Sequence, residues 1–343
     1  MVAIPRHTRV IEAKDIASAD LEALLHAPAP LIVKGLAADW PLVAKGRESA
    51  EAAIAYLARF DTGRPITGYT ADSAAGGRFF YDADLTAMNF ARERTGLSDY
   101  LTLIRDHLDD PDAPARYIGS TDLALYLPGF AEENPLPVVS ETLGNFPPLA
   151  SIWIGNRTIA SAHWDMSNNI AVCAVGRRRF TLFPPDQTPN LYPGPLEPTP
   201  GGQVVSMVNF AAPDLALHPD FPVAAAAGEI AEMEPGDVLI YPALWWHQVE
   251  ALDRFNVLVN YWWNEAQPFA DTPMTTLLHG LLSLRDRPRA EKQAWRVLFD
   301  YYVFGPAQQA GAHLPAHARG PLAPLDETGA RRLRAQVLQK LNR

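Results

Sequence analysis

His163-Trp164-Asp165 sets an imidazole and a carboxylate two residues apart. The surrounding stretch, SIWIGNRTIASAHWDMSNNI from Ser151 to Ile170, is rich in Ile, Trp and Thr and bounded by polar turns, a composition that reads as strand, turn, strand. On a strand, residues i and i+2 share a face, so the spacing predicts His163 and Asp165 aimed at one point and Trp164 turned the other way. A second imidazole, His247, follows the turn Glu234-Pro235-Gly236-Asp237 and the strand pattern Val238-Leu239-Ile240-Tyr241, a length suited to a return to the same barrel mouth. Two imidazoles and one carboxylate fill one face of a metal ion and leave positions open for substrate and oxygen, a set that suits non-haem Fe(II). His163, Asp165 and His247 are therefore the candidate catalytic metal ligands. A His-x-Asp pair alone is more often a hydrogen-bonded structural feature. Polar residues at further inward positions, Asn169, Arg178 and Asn260, strengthen the metal reading, because burying them costs free energy unless they bind each other or a ligand.

These residues need strands to hold them, and 151–265 carries most of the strand signals. Arg179-Phe180-Thr181-Leu182-Phe183 alternates and stops at Pro184-Pro185. The proline-rich stretch 184–223 reads as a long loop, of the kind that serves as a lid or binding edge. Trp245 to Glu250 and Asn256 to Trp263 are two more strands. Upstream, Arg9-Val10-Ile11, Leu31-Ile32-Val33, Pro65 to Tyr69, Arg78 to Tyr81 and Arg116 to Gly119 are short strand candidates, with Trp40-Pro41 ending the second. Helical periods follow Ser18 (Leu21, Leu24, Leu25), run from Ser49 to Phe60, and follow Ser98 as N-cap (Leu101, Ile104, Leu108). Many short strands with regular turns predict a mainly β sandwich or barrel with flanking helices. Helices are expected near Thr272–Leu282, Ala290–Tyr302 and Glu327–Leu341.

Composition narrows the partners. The chain has 343 residues, 48% of them apolar, and a net charge of −10. An acidic chain without a basic cluster is a poor nucleic-acid binder. The one basic run, Arg177-Arg178-Arg179, lies inside an apolar strand, where alternation turns Arg177 and Arg179 outward and Arg178 inward. The single cysteine, Cys173, rules out an internal disulfide and reads as a small core residue. No signal peptide and no 18-residue apolar run are visible, so a cytoplasmic protein without a membrane contact is expected. His7, His26, His107, His218, His279, His313 and His317 have no partner at metal-site spacing. Neither a G-x-S-x-G elbow nor a Walker loop is present.

The segments HWDMSNNIAVCAVGRRRFTLFPPDQTPNLYPGPLEP, PGDVLIYPALWWHQVEAL and NVLVNYWW resemble the cupin-like JmjC oxygenases, and most of all the branch that holds the asparaginyl hydroxylase of hypoxia-inducible factor and many bacterial cupin-like proteins. The likeness is strongest over 150–265. It implies a double-stranded β-helix (the cupin or jelly-roll barrel), an N-terminal α/β part over 1–120, the barrel core over 121–268, and a C-terminal helical extension over 269–343 that makes a homodimer. By this resemblance His163, Asp165 and His247 bind Fe(II). Arg178, fifteen positions after the first histidine, pairs with the distal carboxylate of 2-oxoglutarate, and Tyr117 contacts the same carboxylate. Asn169 and Asn260 match asparagines near the metal-bound end. The family threonine three residues before the first histidine is Ala160 here, with Ser161 or Thr181 as replacements. Trp164 and Trp262, with Trp153, Trp245 and Trp246, are candidates to wall a substrate groove. The implied reaction hydroxylates a protein or peptide side chain and yields succinate and CO2. The same chemistry on a small-molecule metabolite, and a non-catalytic metal-binding cupin, are the alternatives.

Overall fold

The apolar run around Ile170, Val172 and Cys173 lies within a nine-stranded sheet, buried on both faces. The computed structural model describes residues 2–16, 21–143 and 146–342, which divide into two units at Asn264. Ser18 lies outside the described residues, although the helix expected after it is present as Leu21–Leu25.

Among the described residues fifteen strands form two sheets. The first seven are β1 (Arg6–His7), β2 (Arg9–Glu12), β3 (Leu31–Lys34), β4 (Ile66–Ala71), β5 (Arg78–Phe79), β6 (Phe90–Thr95) and β7 (Ala115–Asp122). Then come β8 (Leu149–Gly155), β9 (Ile159–His163), β10 (Asn168–Val175) and β11 (Arg178–Phe183). The last are β12 (Glu229–Met233), β13 (Val238–Tyr241), β14 (Trp246–Ala251) and β15 (Asn256–Trp263). The small sheet runs β1-β12-β11-β14-β9-β5 and the large one β2-β3-β13-β10-β15-β8-β7-β4-β6. Two facing sheets with this alternation of consecutive strands make the double-stranded β-helix.

Side-chain alternation divides the unit into layers. From β10, Ile170, Val172 and Ala174 join a core with Leu42, Leu57, Leu101 and Ile104 of the N-terminal helices. Ala171 and Cys173 point the other way, into the barrel, and meet Phe180, Leu182, Met233 and Leu258. Each fully buried aliphatic side chain of this kind stabilises the fold by about 1.5–3 kcal/mol. The proline-rich stretch after β11 is a cover. Its Leu191, Val204, Val208 and Phe221 pack on Phe183, Ala162 and Trp246, the outer face of the small sheet. Arg177 and Arg179 reach solvent and pair with Asp253 at 2.8 Å and Glu232 at 3.1 Å, as alternation required.

Two local expectations need correction. Pro41 ends the β3 segment but also opens a helix, Pro41–Glu48, because a proline at the first helical position loses no hydrogen bond. Ser98 is not an N-cap. The helix Leu97–Arg105 starts after Gly96, and the Ser98 hydroxyl donates to Asp61 Oδ2 at 2.6 Å. In the second unit the helices are Pro273–Ser283, Arg289–Phe299 and Glu327–Leu341. No described helix is long and apolar enough to cross a membrane.

The turn that joins β10 to β11 sets where Arg178 enters the barrel. Gly176 sits there at φ +70°, and a Cβ would meet Asn256 Oδ1 at 2.4 Å and the Phe255 carbonyl oxygen at 2.6 Å. Gly63 has a similar φ of +72° with open space around it. Gly63→Ala is expected to cost about 1 kcal/mol and Gly176→Ala more than about 2 kcal/mol, read from urea unfolding. Equal losses would show that the close approach at Gly176 is not a constraint.

Candidate metal centre

β9 and β14 bring the two imidazoles together. His163 lies opposite His247, but Ala160 lies opposite Val249, so β9 has one residue more than its partner between these points. This is a β-bulge. It turns both Ala160 and His163 inward although they are three residues apart. The ring centroids of His163 and His247 are 4.3 Å apart. His163 Nδ1 is 2.8 Å from the Ser161 carbonyl oxygen, and His247 Nδ1 is 2.9 Å from that of Trp245. A carbonyl only accepts, so each Nδ1 carries the proton and each Nε2 presents a free lone pair.

Asp165 arrives by a different route from the one expected. β9 ends at His163, so Asp165 is not on a strand face with it. The Leu244 amide donates to the Asp165 carbonyl at 2.8 Å and pins the residue to the loop before β14. Its Oδ2 accepts from Asn169 Nδ2 at 3.1 Å and from Trp262 Nε1 at 3.2 Å, and lies 3.6 Å from His247 Nε2. One ligand atom from each of His163, Asp165 and His247 falls within 4.8 Å of the other two. Such a set fits a single divalent cation with room for further ligands.

The electrostatics favour the ligating forms. Burial alone would raise the Asp165 pKa. His247, His163 and the hydrogen bonds from Asn169 and Trp262 outweigh it, and hold the carboxyl below its ordinary range. Burial, and next the His163 charge, push His247 down to about 4, so it stays neutral at physiological pH.

A second polar group shares the barrel interior. Asn260 Nδ2 donates to Asn169 Oδ1 at 2.8 Å, which continues the line of hydrogen bonds to Asp165. Asn260 Oδ1 is left buried and unpartnered. Arg178 is 3% exposed, its Nε has no partner, and among the described residues no carboxylate pairs with it. Burial lowers its pKa, yet a guanidinium keeps its proton at neutral pH. Beside it, burial raises the Tyr117 phenol and the Arg178 charge partly offsets this. Tyr117 stacks on Trp153 at 5.7 Å, and Trp153 meets Trp262 edge-on at 5.8 Å. An aromatic wall therefore runs from the neighbour of Arg178 to the donor on Asp165. Trp153 Nε1 is also buried without a partner.

Other expected site residues fall elsewhere. Thr181 alternates away from Arg178 and Phe180 and shares the outer face with Phe183, so it does not reach the cavity. The Ser161 hydroxyl accepts from Arg78 Nε at 2.9 Å. Neither therefore stands in for the family threonine. Trp164 packs on the cover cluster with Trp246 rather than walling a groove. Trp262 is at the site, but as a hydrogen-bond donor to a ligand. Sequence reasoning passed over Tyr241, whose ring lies 4.9 Å from that of His247, because a run Val-Leu-Ile-Tyr reads simply as core.

A family model for the cupin-like domain matches residues 17–268, well over half the chain. The chain belongs to the cupin-like domain family. HSPB1-associated protein 1 of Mus musculus is 37% identical over 115 residues, 33% of this chain and 23% of that protein. Lysine-specific demethylase JMJ31 of Arabidopsis thaliana is 31% identical over 104 residues, 30% and 18% of the two chains. tRNA wybutosine-synthesizing protein 5 of Mus musculus is 36% identical over 101 residues, 29% of each. The matched part of this chain spans less than a third of the length of each of these relatives.

Removing one ligand should remove the cation. Calorimetric titration with Mn(II) is expected to show binding to the unaltered protein and a loss of at least about 100-fold in His247→Ala and Asp165→Ala. Unchanged affinity would place the ion elsewhere. Acid should act on the metal-free fold through His247. The unfolded chain takes up its proton below the ordinary 6.5, and the folded site refuses it down to about 4. Stability measured in chelator should therefore fall as pH drops through this window, and less steeply in His247→Leu.

Proposed function

We propose that this protein is an Fe(II)- and 2-oxoglutarate-dependent dioxygenase that hydroxylates a protein or peptide side chain and releases succinate and CO2. The observation that carries the reading is Arg178. A buried guanidinium with no carboxylate paired to it among the described residues, in the same barrel as two imidazoles and a carboxylate, calls for an anionic ligand that also reaches a metal. The unpartnered atoms fit such a ligand. Among the described residues the unpartnered buried atoms of this chamber are the donors Arg178 Nε and Trp153 Nε1 and the acceptor Asn260 Oδ1, and a dicarboxylate supplies acceptors for the donors.

When bound, iron with 2-oxoglutarate supplies oxygen activation coupled to decarboxylation of the keto acid. The chain's own residues hold and orient. His163 and His247 offer Nε2 because backbone carbonyls fix their Nδ1 protons. Asn169 and Trp262 both donate to Asp165 Oδ2 and so set the plane of its carboxylate. Arg178 binds the distal carboxylate through its fork, with the Tyr117 hydroxyl beside it. The aromatic row Tyr117, Trp153 and Trp262 lines the space between these ends.

The relatives' names point to two kinds of substrate, a lysine in one case and tRNA in another. A net charge of −10 opposes approach to a polyanion, which favours the protein side chain. The buried, unpaired Cys173 is consistent with a cytoplasmic setting. We also propose that the C-terminal unit pairs two copies of the chain. Within it, the buried apolar side chains are only Ala310 and Ala330 among the described residues, while Leu282, Val297 and Phe304 are 77%, 67% and 76% exposed. So much apolar surface needs a cover.

With Fe(II), 2-oxoglutarate and oxygen the protein should form succinate, and His163→Ala should lose at least about 100-fold of this rate. Arg178→Ala should weaken 2-oxoglutarate by about 10- to 100-fold, and Arg178→Lys by less. Binding of metal without turnover on any peptide or metabolite mixture would leave a metal-holding cupin instead. Light scattering is expected to give twice the chain mass, and Leu282→Lys with Phe304→Lys a single mass. A monomeric unaltered protein contradicts the pairing.

A further inference from the structure

β13 ends on Tyr241, a residue with no task in the scheme above. Its neighbours show how the strand is placed. Leu239 points into the barrel and Ile240 into the helical core. By alternation Tyr241 points into the barrel as well, and its Cα lies opposite Asn169 of β10. The ring then crosses towards the small sheet, where its centroid is 4.9 Å from His247 and 6.2 Å from Phe180. Phe180 is two residues from Arg178 on the same face of β11. The ring thus lies beside the candidate metal-binding imidazole, over the inward row of β11 that leads through Phe180 to Arg178.

Tyr241 is 2% exposed, and among the described residues no group hydrogen-bonds its hydroxyl. A phenylalanine or leucine would fill the same core position without carrying a hydroxyl into it. Burial, and after it the Asp165 charge, raise the phenol well above its ordinary range, so it stays protonated and acts as a donor. A neutral donor can stabilise a nearby carboxylate without competing for the metal.

We infer that Tyr241 is a co-substrate-binding residue whose O–H donates to the metal-proximal carboxylate end of 2-oxoglutarate. The inference rests on the reading of the site as a metal and 2-oxoglutarate centre. It assigns a hydroxyl donor on the His247 side of the chamber, apart from Arg178 and Tyr117.

The experiment is calorimetric titration of the Mn(II)-loaded protein with 2-oxoglutarate. Tyr241→Phe removes only the oxygen and is expected to bind 2-oxoglutarate about 10- to 100-fold more weakly, with Mn(II) affinity within about twofold of the original. Tyr241→Leu should fall in the same range. Should the Phe variant fail to fold, a fluorinated tyrosine at position 241 keeps the ring and strengthens the donor, and tighter binding is then expected. Unchanged affinity in Tyr241→Phe or with the fluorinated ring overturns the assignment. So does a loss confined to Tyr241→Leu, which would make the ring and not the hydroxyl responsible. If the unaltered protein takes up Mn(II) but no 2-oxoglutarate, the site reading itself fails and this inference with it, a result visible before any variant is made.

Discussion

Arg178 carries a positive charge into the barrel interior, and among the described residues no carboxylate pairs with it. An isolated buried ion costs several kcal/mol, and a fold keeps one only where something later offsets the cost. Much of the chain is arranged to keep this arginine where it is. Gly176 lets β10 turn tightly into β11, Arg177 in the turn and Arg179 of β11 pair with Asp253 and Glu232, and Phe180 and Leu182 fix the inward face in the core. The opposite strand, β14, presents His247 on that same inward face. Cation and imidazole are therefore set by one strand pairing.

The candidate metal centre depends on the same economy of backbone contacts. Each imidazole gives its Nδ1 proton to a carbonyl two residues earlier in its own strand or turn. No side chain is needed to choose the tautomer. The carboxylate is treated differently: Asp165 sits in a loop, and Leu244, Asn169 and Trp262 hold it from three separate segments. A change in any of these would alter carboxylate orientation with the ligands themselves intact.

The sequence made the strands legible because their apolar residues alternate or run on without break, and turn residues mark their ends. The inward placement of Arg178, Asn169 and Asn260 came from that period alone. Other features were hidden for physical reasons. Period two placed Asp165 on a strand with His163, but the strand stops at the histidine and the carboxylate is returned by long-range hydrogen bonds. A bulge in β9 turns Ala160 inward, and no local residue type announces it. Thr181 lies one residue from an inward position and so faces away, while Ser161 is taken by Arg78, a contact between residues 83 apart in the chain. Trp164 packs under the proline-rich cover instead of walling a groove, and that cover belongs to the tertiary fold. Tyr241 was hidden by its aliphatic neighbours.

The central claim is that Arg178 and the His163, Asp165 and His247 set bind the two ends of one molecule. A crystal structure of the protein with Mn(II) and 2-oxoglutarate, prepared without oxygen, tests it most directly. The account predicts the ion on both Nε2 atoms and the Asp165 carboxylate, with the keto acid reaching from the ion to the Arg178 guanidinium. An ion at that site with the Arg178 guanidinium still free of any carboxylate, or 2-oxoglutarate bound outside the barrel, would contradict it.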